Sequence, residues 1–121
     1  MPSRFYHLVI DAHDPRRLAR FWAAVLDQRI LYESDDEVIV GADDQSYPGL
    51  CFLPVPDDKV VKNRLHIDLD PDDKDAEVER ILQLGARHAD VGQGKDVTWT
   101  VLADPEGNEF CVLRPHRSLT E

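Results

Sequence analysis

Asn63-Arg64-Leu65-His66-Ile67-Asp68-Leu69-Asp70 alternates without a break between apolar and polar side chains. Leu65, Ile67 and Leu69 fall on one side, and Arg64, His66, Asp68 and Asp70 on the other. That period of two describes a strand with one buried face. A histidine stands in the middle of the polar face with acidic residues beyond it. Phe5-Tyr6-His7-Leu8-Val9-Ile10-Asp11 has the same character, again with a central histidine and a later aspartate. Each stretch leads into a helix-start signal and an amphipathic run, so reading 63–70 as a strand makes the chain two copies of one unit.

In the first copy, Asp14-Pro15 offers an N-cap followed by proline at the first helical position. Leu18, Phe21, Trp22 and Val25 follow at i, i+3, i+4 and i+7, one apolar face of a helix that should stop near Asp27. Arg29–Glu33 and Glu37–Gly41 read as strands around the turn Ser34-Asp35-Asp36. Residues 43–49 read as a loop and Leu50–Leu53 as a further strand. Residues 54–62, with two prolines, two aspartates and two lysines, read as the linker. After strand 63–70, Pro71-Asp72-Asp73 starts a second helix with Val78, Ile81 and Leu82 on its apolar face and Gly85 as C′ residue. Ala86–Val91, Thr98–Ala103 and Glu109–Leu113 read as strands, residues 92–96 as a glycine-rich loop, and Asp104-Pro105-Glu106-Gly107-Asn108 as a turn. Both halves are therefore β-α-β-β-β, a repeat of roughly 60 residues judged by pattern. By spacing, His7 and His66 stand at equivalent places in it.

The totals narrow the function classes. With 121 residues the chain is expected to be one domain, 1–121, with a first module over about 1–56 and a second over about 63–115. A net charge of −10 argues against a nucleic-acid backbone or an anionic membrane surface as partner. Cys51 and Cys111 are too few for a disulfide scaffold and too far apart for a CxxC motif, so free thiols are expected. No secretory leader or membrane-length apolar run is visible, and a cytoplasmic protein is expected.

Two polar-face histidines suit a divalent ion through Nε2, with open positions for a substrate, or they simply line a wet cleft. Cys111 shares a strand face with Glu109 and is either a softer third ligand, a nucleophile or a buried small hydrophobe. A His2Cys2 centre with Cys51 is the more remote drawing. Asp68 shares the face of His66 and is a candidate base or supporting partner, as is Glu109, or is solvated decoration. Trp99 reads as a core residue in preference to a stacking wall. Lys59, Lys62 and Arg64 form a basic cluster that either docks an anionic group or balances nearby aspartates.

Lys59-x-x-Lys62-Asn63-Arg64-Leu65-His66-Ile67-Asp68-Leu69 and Trp99-x-x-x-Ala103-Asp104-Pro105-Glu106-Gly107-Asn108-Glu109-Phe110-Cys111, with Asp14-Pro15 and Phe21-Trp22, resemble the vicinal oxygen chelate superfamily. Within it, the chain is most similar to the small glyoxalase-like (glyoxalase/bleomycin-resistance) domains. The resemblance implies an α+β fold of two βαβββ modules whose mixed sheets curl around a shared cleft. It implies a cleft lined by His7, Leu53, His66 and Cys111, with His7 and His66 at the metal-ligand positions. The glutamate positions of the metal-using members fall on Cys111 and on Leu53, so the carboxylate ligands are missing. Two functions stay open. One is a module that binds a small organic molecule without a complete His/Glu metal site. The other is a metal-dependent lyase, isomerase or dioxygenase acting on a small oxygenated substrate with zinc, nickel, iron or manganese. A homodimer is implied as well.

Overall fold

The computed structural model describes residues 2–90, 92, 94 and 97–121. Two compact units, 1–58 and 59–121, meet inside the stretch expected as the linker. In the first, Asp14 accepts the Arg17 N–H at 3.2 Å, which satisfies one of the orphan donors of the helix start. The helix α1 then spans Pro15–Leu26. It ends without a glycine because Asp27 itself takes the left-handed conformation, φ 52° and ψ 49°. Aspartate tolerates that region better than most residues, and this is why the end was soft in the sequence.

The apolar stripe Leu18, Phe21, Trp22 and Val25 is buried, and α1 packs on the strands that carry buried Val38, Val40 and Phe52. Trp22 meets Phe21 edge-on at 5.3 Å. The sheet comprises β1 (His7–Ala12), β2 (Arg29–Glu33), β3 (Val38–Gly41) and β4 (Gly49–Pro54) in the order β1-β4-β3-β2. β1 runs parallel to β4, and the other pairs are antiparallel. The β2–β3 turn is held by Ser34, whose Oγ accepts the N–H groups of Asp36 and Glu37.

The second unit repeats the order. Its elements are β5 (Asp68–Leu69), α2 (Lys74–Leu84), β6 (Arg87–His88), β7 (Thr100–Ala103) and β8 (Glu109–Val112), with the sheet ordered β5-β8-β7-β6. β5 is parallel to β8 as β1 is to β4. Asp73 caps α2 from Ala76 N–H, and Gly85 closes it at φ 122°. Ile81, Leu102, Phe110 and Val112 form the core. The fold is α+β, two βαβββ units with mixed four-stranded sheets, and neither sheet closes on itself. No helix among the described residues is long and apolar enough to cross a membrane.

One expectation fails in length. The alternating stretch 63–70 pairs only over Asp68–Leu69, and Leu65 is exposed. As an edge strand, β5 has a single neighbour, and β8 begins at Glu109 just after the turn. The first parallel bond is from Cys111 N–H to Ile67 O, and residues 63–65 stay outside the ladder, with Asn63 bonded to the Glu109 side chain and carbonyl instead. Of 86–91, only Arg87–His88 is strand, and Val91 lies outside the described residues. In the expected loop 92–96, Gly92 and Gly94 take positive φ, while residues 93, 95 and 96 lie outside the described residues.

Register also separates the two histidines. With buried Phe52 of β4 matched to buried Phe110 of β8, Leu53 stands at the position of Cys111, and their ladder partners are Asp11 and Asp68. Counted along the same ladders, the equivalent of His66 is Val9, and His7 lies two residues earlier. The spacing back from the helix caps is the same for both histidines, but β5 is separated from its cap by two more residues than β1 is. A slip of two preserves the face, so His7 and Val9 still point the same way.

Candidate functional site

Along β8, Phe110 and Val112 face the core, which turns Glu109 and Cys111 to the other side of the sheet. Parallel pairing sets Asp68 directly across from Cys111, and His66, two residues earlier, shares the face of Asp68. His66 Nε2 lies 3.1 Å from Asp68 Oδ1. One ligand-type atom each from His66, Asp68 and Cys111 falls within 4.8 Å of the others. His66 and Asp68 are about half exposed, whereas Cys111 is buried at the floor. A cavity of about 350 Å³ opens over this face, walled by Trp99, Val101, Leu113 and Lys62.

Electrostatics sort these groups. Burial pushes the Cys111 thiol up, and the Asp68 carboxylate beside it pushes it further, against a smaller pull from Lys62. The thiol is thus protonated, which disfavours the nucleophile reading. Glu109 is committed elsewhere. Its carboxylate takes an ion pair from Lys59 Nζ at 3.0 Å and the Asn63 N–H at 3.3 Å, while its carbonyl accepts from Asn63 Nδ2. Burial works against its charge, but the bonds from Lys59 and the backbone together hold the carboxyl below its usual range. Asp68 and Glu109 both line the cavity, and a catalytic base at Glu109 would first have to leave Lys59.

That depressed pKa has a testable sign. The stabilisation it represents is complete above the ordinary glutamate value of about 4.3 and disappears as pH falls through the lower folded value. Glu109→Gln is expected to cost about 1–2 kcal/mol at neutral pH. Between about pH 5 and about pH 3, wild type should lose stability more steeply than the variant, closing that gap. Denaturant melts across this range check it, and parallel curves would show that the ion pair contributes nothing.

In the first unit His7 stacks on Tyr6, with ring centroids 4.0 Å apart, and lines a cavity of that unit with Glu37 and Tyr47. Leu53 is half-buried on β4. Cys51 is buried, its thiol 3.8 Å from a Glu37 carboxylate oxygen and likewise pushed up by burial and then by Glu37. The two cysteines are free, each beside a carboxylate. Two residues gain importance that the sequence had understated. Trp99, expected in the core, is 39% exposed on the cavity wall. Lys62 stands at the same cavity, separated from the Lys59 that pairs with Glu109. Alternation did not reveal either, because both lie outside the short paired segments.

The profile of a family described as a glyoxalase-like domain matches residues 7–113. Among solved structures, a glyoxalase/bleomycin resistance protein/dioxygenase family enzyme from Burkholderia phytofirmans PsJN is similar at TM-score 0.70 and 18% identity, over 94% of this chain and 100% of that one. The fosfomycin resistance protein FosX from Mesorhizobium loti aligns at TM-score 0.69 and 20% identity, over 99% and 96%. TnmS3, an antibiotic binding protein from Streptomyces sp. CB03234, aligns at TM-score 0.62 and 16% identity, over 95% and 98%. At these identities the likeness is one of fold. No curated protein sequence matches the chain.

Proposed function

This chain belongs to the glyoxalase-like domain family, and from that premise we propose that it binds a small organic molecule over the sheet face bearing His66, Asp68 and Cys111. The observation that carries the reading is the cavity of about 350 Å³, with Trp99, Val101 and Leu113 as apolar walls and a few polar groups converging on one side. That is the usual make-up of a small-molecule site. The name of TnmS3 gives a fold neighbour that binds an antibiotic, which supports the same class of role. Trp99 supplies a flat face for stacking, His66 and Asp68 orient polar groups, and the neutral Cys111 thiol keeps the floor uncharged.

A second reading rests on the convergence of His66, Asp68 and Cys111. Nitrogen, oxygen and sulfur donors at these separations fit a divalent ion such as zinc with one position left open. His66, Asp68 and Cys111 would hold it, after the His66–Asp68 hydrogen bond is given up. Such an ion would polarise a carbonyl of an oxygenated substrate, the chemistry of a lyase, isomerase or dioxygenase. The existing His66–Asp68 bond, which an ion would have to displace, favours the first reading.

Thermal shift against a broad set of small aromatic compounds, with metal analysis of untagged protein, separates the two. The binding reading expects ligands that raise the melting temperature of wild type and lose their effect in Trp99→Ala. A screen without a single such ligand overturns it. Stoichiometric metal that is lost in a His66→Ala/Cys111→Ser variant decides for the metal reading.

A further inference from the structure

The charges around the second-unit cavity do not cancel evenly. Among the described residues, four titratable side chains besides Cys111 line it: Lys62, His66, Asp68 and Glu109. Glu109 is neutralised by Lys59 at 3.0 Å, and both members of that pair are largely buried. Asp68 faces His66 at 3.1 Å and the Cys111 thiol beside it. Lys62 has no carboxylate within salt-bridge distance among the described residues. The chain has 24 acidic against 14 basic side chains, so a lysine left without a partner at a cavity runs against its overall balance. Lys62 is close enough to the cavity floor for its charge to act on Cys111. Across the same cavity, Trp99 is 39% exposed and makes no ring contact with another aromatic among the described residues. Among the described residues, one unpaired cation and one unpaired aromatic face therefore line a mostly apolar space.

We propose that the ligand of this cavity is an organic acid with a flat, preferably aromatic body: its carboxylate pairs with Lys62 and its ring lies against Trp99. The inference rests on the binding reading and narrows it to one ligand class. The pairing is selective because Glu109 is already neutralised by Lys59 and Asp68 is already hydrogen-bonded to His66. An anion completes Lys62 and meets carboxylates that are already paired, whereas an amine would set a second cation beside Lys62. A neutral analogue keeps the stacking but leaves the ammonium without a counter-charge.

Isothermal titration with 1-naphthoate, 1-naphthamide and 1-naphthylmethylamine tests this on the full chain and on Lys62→Met. Lys62 is exposed, so the variant is expected to fold as wild type does. The expected result is naphthoate binding about tenfold or more tighter than naphthamide, with the amine weakest, and that preference lost in Lys62→Met. Naphthamide binding as tightly as naphthoate, or a naphthoate preference unchanged in Lys62→Met, overturns the proposal while leaving the cavity as a small-molecule site. A tighter amine overturns it in favour of Asp68 as the recognising group. If none of the three binds wild type at millimolar concentration, this proposal fails, and the wider screen described above then decides whether the binding reading fails with it.

Discussion

Asp104→Ala is expected to destabilise the protein by about 3 kcal/mol, one of the two largest losses foreseen for a single substitution. Asp104 is 1% exposed, and its carboxylate bonds back into its own loop. Oδ1 accepts the N–H groups of Glu106 and Asn108 at 2.9 and 3.0 Å, and the Asn108 side-chain amide donates to both oxygens. The backbone completes a three-residue hairpin loop. Gly107 N–H donates to Asp104 O, Asp104 N–H donates to Asn108 O, and Gly107 sits at φ 89° where other residues would be strained. Alanine leaves two backbone donors and an amide without acceptors in a half-buried turn, each worth about 1–3 kcal/mol. Asp104→Asn keeps one oxygen and should lose less. Urea midpoints for the three proteins check the order, and an alanine variant within about 0.5 kcal/mol of wild type would mean that water replaces the carboxylate.

Trp22→Ala is expected to cost about 3–5 kcal/mol, the range for emptying a large aromatic site in a packed core. Trp22 is 2% exposed and lies in the middle of α1 on the stripe that meets β3 and β4. Alanine suits the helix itself, so the loss would come from the cavity and the missing contact with Phe21 at 5.3 Å, not from helix propensity. Trp22→Phe should recover most of it. Helix content by circular dichroism below the transition should match wild type while the denaturation midpoint falls; a lower helix content would place the effect in α1 itself.

These two predictions mark where the sequence was most legible. The loop at 104–108 could be read as turn chemistry because proline, glycine and a carboxylate act on backbone groups two to four residues away. Trp22 could be assigned from periodicity, because residues at i, i+3, i+4 and i+7 share a helix face whatever the helix packs against. Both helix starts were legible for the same reason, since an aspartate at the cap accepts from an N–H three residues on.

The stretch 63–70 shows the limit. Its alternation put His66 and Asp68 on one face, and in the folded chain the two side chains lie 3.1 Å apart at one cavity although only Asp68 is in the strand. How much of it is strand was decided by where β8 begins, more than forty residues later, and the part without a partner is not strand. Cap spacing suggested that His7 matches His66; only the register against β4 and β8 reveals the slip of two. The same distinction holds at the cavity. Sequence supplied His66, Asp68, Glu109 and Cys111 as residue types on two strands. The tertiary structure brought Asp68 against Cys111, withdrew Glu109 into an ion pair with Lys59 fifty residues away, and left Trp99 and Lys62 facing open space. Local conformation follows from sterics and hydrogen bonds within a few residues, which the sequence by itself determines. Charge pairing and exposure depend on which distant segment arrives opposite, and only the folded chain decides that.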